Sequence, residues 1–392
     1  MRVYKILSFS VVILLITVVF AGAVTVPAAA QSDTMQFRYN AQHTSDYSPV
    51  AGSTMSIGKL TWNYTTADIV FSSPAVSNGV VYVGSYDSNV YALNATTGAT
   101  VWNYTTGGAV LSSPAVVNGV VYIGSSDNNV YALNTTTGAN VWNYTTRSGV
   151  ESSPAVANGT VYVGSDDNNV YALNANNGTF VWSFTTRSGV ESSPAVANGV
   201  VYVGSGGDYG VLRGNFCALD ATTGAKLWNY ATGSAVLSSP AVANGIVYVG
   251  SNDGNLYAFN ATTGANVWNY ATGSSVYSSP VVANGTVYVG GDDNNVYALN
   301  ATTGAKLWNY TTGGGVESSP AVVNGVVYVG SDDNNVYAIG NATAATSQAT
   351  TPGNATAATS QATTPGFEVV LVFVGFIFVG LVIAALAVRR KS

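Results

Sequence analysis

The chain has 392 residues, 47% of them hydrophobic and only 8% charged, with a formal charge of −6 from 12 Lys+Arg against 18 Asp+Glu. Its central ~300 residues are long enough, and rich enough in Val, Tyr, Thr and Trp, to bury a core, which excludes a disordered chain; the lack of any basic stripe there argues against nucleic acid as a partner. A single cysteine, Cys217, and a single histidine, His43, exclude an internal disulfide and a His-rich metal site.

Residues 1–30 open with Arg2 and Lys5, continue through an apolar run and close on small residues up to Ala30. This is the pattern of an export signal peptide, although an uncleaved N-terminal anchor carries the same apolar run. Residue 31, directly after Ala30, is Gln and not Cys, so lipoprotein attachment of the bacterial kind is excluded at that point. Residues 31–59 form an N-terminal lead-in without Trp or Asn-Gly.

From residue 60 the sequence repeats. Trp62, Trp102, Trp142, Trp182, Trp228, Trp268 and Trp308 are spaced by 40 residues, with one interval of 46, and Ser-Ser-Pro elements recur in step with prolines at 74, 114, 154, 194, 240, 280 and 320. A period of this length marks a repeat architecture. Within one unit, residues 112–146, four β-rich segments alternate with turn residues, and Asn-Gly occupies the first turn of every unit. Asn-Gly suits the two left-handed positions of a type I′ hairpin.

Four antiparallel strands per unit, A to D from the axis outward, predict an all-β, seven-bladed β-propeller over residues 60–340. Residues 60–65 read as a D-type strand that precedes any A strand, and the last unit ends after its C strand. The N-terminal strand is therefore expected to complete the last blade and remove its free edge. An eight-bladed ring would need a further unit hidden in residues 31–59.

The phrase Val-Tyr-Ala-Leu-Asn-Ala-Thr-Thr-Gly-Ala-x-x-Trp at 90–102, repeated at 296–308, resembles the repeat of the PQQ-type propellers. Residues 37–44 also look like the usual opening of such domains. The resemblance implies the propeller fold over all seven units. That repeat serves both quinoprotein dehydrogenases and the propeller lipoprotein of outer-membrane protein assembly. The enzymes hold a quinone with a stacked tryptophan, a vicinal cysteine pair and a calcium ion, with an aspartate as base. This chain has no vicinal cysteines, and all seven tryptophans belong to the repeat column, so the expectation is no cofactor and no enzyme activity.

Other features have structural readings. Trp and Tyr of the Trp-Asn-Tyr segments (Trp102 and Tyr104, Trp142 and Tyr144) alternate onto one face of strand D, where they would pack against a neighbouring blade. The acidic turns Asp166-Asp167, Asp292-Asp293 and Asp332-Asp333 offer calcium-type oxygens, but Asp and Asn favour tight turns by themselves, and no metal is expected. Cys217 replaces the strand-C tyrosine of the fourth unit and is expected to be buried and inert. His43 has no second histidine to work with.

Strand order places the D-to-A and B-to-C connections on one face, the top. Of the five basic residues between Trp62 and Gly340, Arg147 and Arg187 fall in successive D-to-A connections, and Arg213 in the B-to-C loop of the fourth unit. Glu151 and Glu191 accompany the first two. The six-residue insertion that breaks the period falls in the same B-to-C loop, with Asp208 and Tyr209. In a ring of near copies, a broken repeat beside clustered charge is where a specific function would be grafted. Arg147, Glu151, Arg187, Glu191, Asp208, Tyr209 and Arg213 are accordingly the candidate ligand-binding patch. Asn-x-Thr sequons, potential glycan sites in an exported protein, stand at Asn63, Asn94, Asn103, Asn134, Asn143, Asn158, Asn177, Asn260, Asn284, Asn300, Asn309, Asn341 and Asn354. Those of the propeller fall on strand D or the bottom turns, leaving the top free.

After the last unit, a 13-residue segment repeats identically as residues 340–352 and 353–365. Thr, Ala, Ser and Pro without aromatics cannot bury a core, so residues 341–366 read as an extended, glycosylated stalk. Residues 369–388 are an unbroken apolar run of membrane-spanning length, followed by Arg389, Arg390 and Lys391. With Pro365-Gly366-Phe367 ahead of it, the tail over 367–392 resembles the PGF-CTERM sorting signal of archaeal surface proteins, which implies exchange of the helix for a lipid. These features together lead to a non-enzymatic binding or structural propeller at the surface of an archaeal envelope, held to the membrane at its C-terminus, with an envelope glycan or surface protein as partner. The alternatives are an exported quinoprotein-like oxidoreductase and an envelope protein-assembly scaffold.

Overall fold

Asn118 (φ +50°) and Gly119 (φ +80°) both take left-handed conformations, which turns the chain within two residues. Strand A of blade two (Ala115–Val117) thereby meets strand B (Val120–Gly124) with Val117 opposite Val120. Strands C (Asn129–Asn134) and D (Asn140–Thr145) continue the meander, and a bulge between Ala132 and Leu133 seats Trp142 opposite Ala132. The structure, a computed structural model, describes residue 40 and residues 60–206, 213–323 and 325–340. In these residues the same pattern yields seven antiparallel sheets in chain order, six of four strands and one of three. They correspond to the seven blades expected from the repeat.

The core lies between sheets, not within them. Tyr122, Val130, Ala132 and Trp142 of blade two are buried against Val161, Val163, Tyr171 and Leu173 of blade three. Six clusters of this kind join the blades pairwise from one to seven. The tryptophan column is the outer fastening of each interface. Trp142 Nε1 donates to the Ala175 carbonyl of the next blade (2.9 Å), and its ring lies so close to Gly178 (φ +70°) that an added Cβ would sit 2.6 Å away.

The Ser-Ser-Pro element fastens the inner side. The Ser73 amide donates to Ser113 Oγ, Ser113 to Ser153, Ser153 to Ser193, Ser193 to Ser239, Ser239 to Ser279 and Ser279 to Ser319, a ladder across seven innermost strands. The preceding serine accepts from its own blade, as Ser112 Oγ does from the Gly124 N–H at 3.0 Å, while Ser192, Ser238 and Ser278 also donate to the carbonyl of the matching serine in the next blade. Short hydroxyls that bond backbone at close quarters suit this crowded position.

The expected closure of blade seven by an N-terminal strand is not formed. Among the described residues blade seven has strands A (Ala321–Val323), B (Val326–Ser331) and C (Asn335–Ile339), and residues 60–65 take no strand pairing. The physical reason is that this segment's side chains serve blade one. Trp62 Nε1 donates to Ala95 O at 2.9 Å, its ring covers Gly98, and Tyr64 meets Tyr91 with ring centroids 5.3 Å apart. These are the contacts that any D strand makes with the following blade, made here without backbone pairing to blade seven. No buried cluster among the described residues joins blade seven to blade one, and Val336 is 81% exposed where its counterpart Val90 is fully buried.

The expected signal peptide (1–30), lead-in (31–59, with His43), stalk (341–366) and sorting segment (367–392) lie outside the described residues, apart from Asn40. No helix among the described residues is long and apolar enough to cross a membrane.

Candidate functional site

On the top face each B-to-C turn grips the connection arriving from the previous blade. In blade three, Asp167 Oδ1 accepts the Asn169 N–H (3.0 Å), while Oδ2 accepts the Tyr171 hydroxyl (2.6 Å) and the Arg147 backbone N–H (2.9 Å). The same clasp is built by Asp87 with Tyr91 and Ala67, Asp127 with Tyr131 and Gly107, and Asp253 with Tyr257 and Gly233. Asp293 and Asp333 repeat it with Tyr297 and Gly273, and with Tyr337 and Gly313.

Burial pushes these carboxyls up, yet the donated hydrogen bonds together outweigh it and hold Asp87, Asp127 and Asp167 below the usual carboxylate range. Asp333, led by its bond from Tyr337, falls to about 2. The tyrosines move the other way: burial and the bond to the carboxylate push Tyr91 up to about 12. The second aspartate of each acidic turn is thus committed to a structural bond, as its turn chemistry suggests.

Blade four departs from this pattern. The Thr232 N–H donates to Gly214 O, as Thr186 does to Asn168 O in blade three, so Arg213 stands where every other blade has its aspartate. Cys217, four residues on, stands where the others have tyrosine. It is buried and accepts the Asn215 side-chain amide at 2.9 Å. Burial pushes the thiol up to about 11, against the opposing pull of Lys226, Asn215 and Arg187. A thiol held protonated is a poor nucleophile and metal ligand, as expected for Cys217.

Arg147, Arg187 and Arg213 are all exposed. Arg147 and Arg187 directly follow the outermost strands of blades two and three, at the rim. Glu151 and Glu191 are half-buried in the stretches leading to the innermost strands, so each D-to-A connection carries its arginine at the rim and its glutamate toward the axis. The register puts Arg187 and Arg213 at one junction, since Arg147 N–H bonds the residue that corresponds to Arg213. Arg147 sits one junction earlier, with its charge felt by Tyr144 and Tyr171. Asp208 and Tyr209 lie outside the described residues. The replacement of the clasp aspartate by Arg213 is legible in the sequence once blade four is aligned through Cys217, but the six-residue insertion hides it.

Eleven of the sequons are described, and all their asparagines are exposed or half-buried. Asn94, Asn134, Asn260 and Asn300 end C strands and spend only Oδ1 on the following turn's N–H groups. Asn158 and Asn284 sit in A-to-B turns, Asn177 in a C-to-D turn, Asn103, Asn143 and Asn309 on D strands, and Asn63 beside Trp62. A cavity of about 390 Å³ opens on the bottom between blades two and three, with Asn158 at its lip, so a glycan there would cover it. Asn341 and Asn354 lie outside the described residues.

The first aspartates of the acidic turns behave differently from the second. Asp292, Asp332 and Glu317 bring one carboxylate oxygen each within 4.8 Å of the others, all three exposed. Gly315 permits the approach, since a Cβ there would meet Asp292 and Asp332 at 2.8 Å. Burial and the charges of Asp332 and Asp292 push the Glu317 carboxyl up. Together these three exposed carboxylates define an acidic spot on the junction of blades six and seven.

Seven sheets of antiparallel strands, fastened blade to blade by serine and tryptophan columns and irregular in one sector of one face, define a β-propeller of the PQQ-type repeat. Residues 50–153, 146–275 and 271–385 match the family described as outer membrane protein assembly factor BamB, and the chain belongs to that family. Among solved structures, BamB from Moraxella catarrhalis is 24% identical with a TM-score of 0.60, the match covering 71% of this chain and 85% of that one. The computationally designed Ika8 protein is 18% identical with a TM-score of 0.62, covering 69% of this chain and 83% of that one. At these identities the likeness is one of fold. No curated protein is detectably similar in sequence.

Proposed function

We propose that this protein is a non-enzymatic binding module of a cell envelope, presenting the top-face patch of Arg147, Glu151, Arg187, Glu191, Asp208, Tyr209 and Arg213 to a surface protein or envelope glycan. The observation that carries this reading is the sector at blade four, where the repeat's aspartate and tyrosine give way to Arg213 and Cys217. Every other clasp is occupied with holding the ring together. A position released from that duty is available for recognition. The family's description as an outer membrane protein assembly factor supports a scaffold role and an exported location.

In this reading residues 1–30 direct export, residues 341–366 form a glycosylated stalk, and residues 367–392 tie the protein to an archaeal membrane, with a lipid in place of the helix. Two measurements test it. Capture of envelope proteins and glycans on the purified full-length protein should yield a partner whose retention drops when Arg187 and Arg213 are both replaced by Ala, with melting temperature nearly unchanged because exposed charges contribute little to folding. Normal retention by that double variant would remove the patch. Intact mass of protein from its native host should lack residues 369–388; a mass that includes them means a plain transmembrane anchor.

A further inference from the structure

Six C-to-D turns lie among the described residues, and five of them carry a sequon: Asn94, Asn134, Asn177, Asn260 and Asn300. Turn chemistry accounts for the asparagine oxygen and for nothing more. Asn94 Oδ1 accepts the Thr96 and Thr97 N–H groups at 3.0 Å, and Asn134, Asn260 and Asn300 accept the equivalent pairs. Blade four builds the same turn on an acid. There Asp220 Oδ1 accepts the Thr222 N–H at 3.0 Å and the Thr223 N–H at 2.8 Å, so the turn needs no amide nitrogen. Blade three builds it without the sequon threonine: Asn174 Oδ1 accepts the N–H of Asn176, at 2.9 Å, where the others have Thr. That blade has its sequon in the same turn all the same, three residues on, at Asn177-Gly178-Thr179, with Asn177 and Thr179 both exposed.

The sequons of the D strands are held differently. The hydroxyls of their threonines, Thr105, Thr145 and Thr311, donate to Oδ1 of the strand-C residues Asn89, Asn129 and Asn295 at 2.7, 2.6 and 2.8 Å. Asn143 and Asn309 also donate their own Nδ2 to Asn129 and Asn295, at 3.5 and 3.0 Å. The backbone of each is paired flat against strand C, with Asn103, Asn143 and Asn309 opposite Tyr91, Tyr131 and Tyr297. Groups that a sugar-transferring enzyme must engage are here spent on the sheet. We infer that the C-to-D turns of blades one, two, three, five and six are N-glycosylated and that the D-strand sequons are not, which sets a row of sugars on the bottom rim. The inference is independent of the top-face patch. In the transfer the asparagine Nδ2 attacks the anomeric carbon of a phosphate-linked sugar donor. The new C–N bond replaces the C–O bond to phosphate, which departs with the electron pair, and the nitrogen gives up one proton. The row has something to cover. Val101, Val141, Val181, Val267 and Leu307, each the second residue of the D strand that leaves one of these turns, are 45% to 54% exposed. A bulky, hydrated group rooted at the turn stands beside each of them.

The test is tandem mass spectrometry of proteolytic fragments of the protein purified from its native host, which assigns each added sugar mass to its asparagine. Asn94, Asn134, Asn177, Asn260 and Asn300 should carry the addition, and Asn103, Asn143 and Asn309 should appear at their unmodified mass. Blade four supplies the second arm. Asp220→Asn, expressed in the same host, completes a sequon with Thr222 in a turn that Asn94 and Asn134 already build elsewhere in the ring, so the variant should fold as the wild type does and gain a sugar at residue 220. Bare asparagines in the five turns, sugars on the D-strand asparagines as well, or a variant left unmodified at residue 220 would each overturn the inference. None of these outcomes bears on the top-face patch, whose partner is sought by capture.

Discussion

A carboxylate that accepts four hydrogen bonds is worth most where it is half-buried, and the clasp aspartates of blades two and three are of that kind. Tyr131→Phe removes the hydroxyl bonded to Asp127 Oδ2 at 2.7 Å and leaves the ring packed, so it should cost about 1 kcal/mol, the low end for a charged acceptor because water reaches the site. Chemical denaturation of the single variant checks this. The depressed carboxyls also set a pH dependence. Their folded pKa values lie below the unfolded value near 4, so their stabilisation is complete above about pH 4 and is lost as pH falls toward 2. Melting temperature should therefore hold down to about pH 5 and then drop. Glu317, raised by burial and two acidic neighbours, works in the opposite sense: it favours the fold below its unfolded pKa and ceases to as pH rises through its folded pKa. Glu317→Gln should give a small gain in melting temperature at neutral pH that disappears near pH 4.

At the scale of strands and blades, the interface tryptophan and its glycine are one device. Trp142→Ala empties a site that is 8% exposed and should cost about 3–5 kcal/mol. Gly178→Ala meets both a left-handed backbone and the ring 2.6 Å away, and should cost about 2–4 kcal/mol. In the double variant the costs should fall short of their sum, since Ala at 178 clashes only while the indole is present. Much of this element was legible in the sequence because its chemistry is periodic: Asn-Gly names the turn, and Trp-Asn-Tyr alternates as a strand must. The Ser-Ser-Pro column was visible as a period but not as a mechanism, because a ladder from one blade to the next needs the ring's curvature to bring Ser113 to Ser153. The candidate patch was half legible. Arg187 lies in the connection that enters blade four and Arg213 in that blade's B-to-C loop, both exposed. That Arg213 replaces an aspartate required register through an insertion, and that Glu151 lies toward the axis required the path of the connection across the face.

At the scale of the ring, six buried clusters among the described residues join the seven blades, and none of them lies between blade seven and blade one. Among the described residues blade seven has no fourth strand, and Val336 is 81% and Tyr328 37% exposed, against 0% and 2% for their counterparts Val90 and Tyr82. Regions with few buried apolar contacts open at lower free energy than the core of the same molecule. Backbone amides of strands Ala321–Val323, Val326–Ser331 and Asn335–Ile339 should therefore exchange with deuterium faster than those of blade three. Deletion of residues through Thr65 separates the two roles that the N-terminal segment could have. In this structure Trp62 and Tyr64 cover blade one, through Ala95, Gly98 and Tyr91. The deletion should then raise exchange in strands Asn89–Asn94 and Thr100–Thr105 of blade one and leave blade seven as it was. A strand that completed blade seven would give the reverse, with the loss of protection concentrated in Asn335–Ile339, because removing a paired strand exposes its neighbour's amides before it disturbs the next sheet. Exchange confined to blade one therefore supports side-chain docking without pairing, and exchange gained by blade seven would show that the ring closes through its backbone.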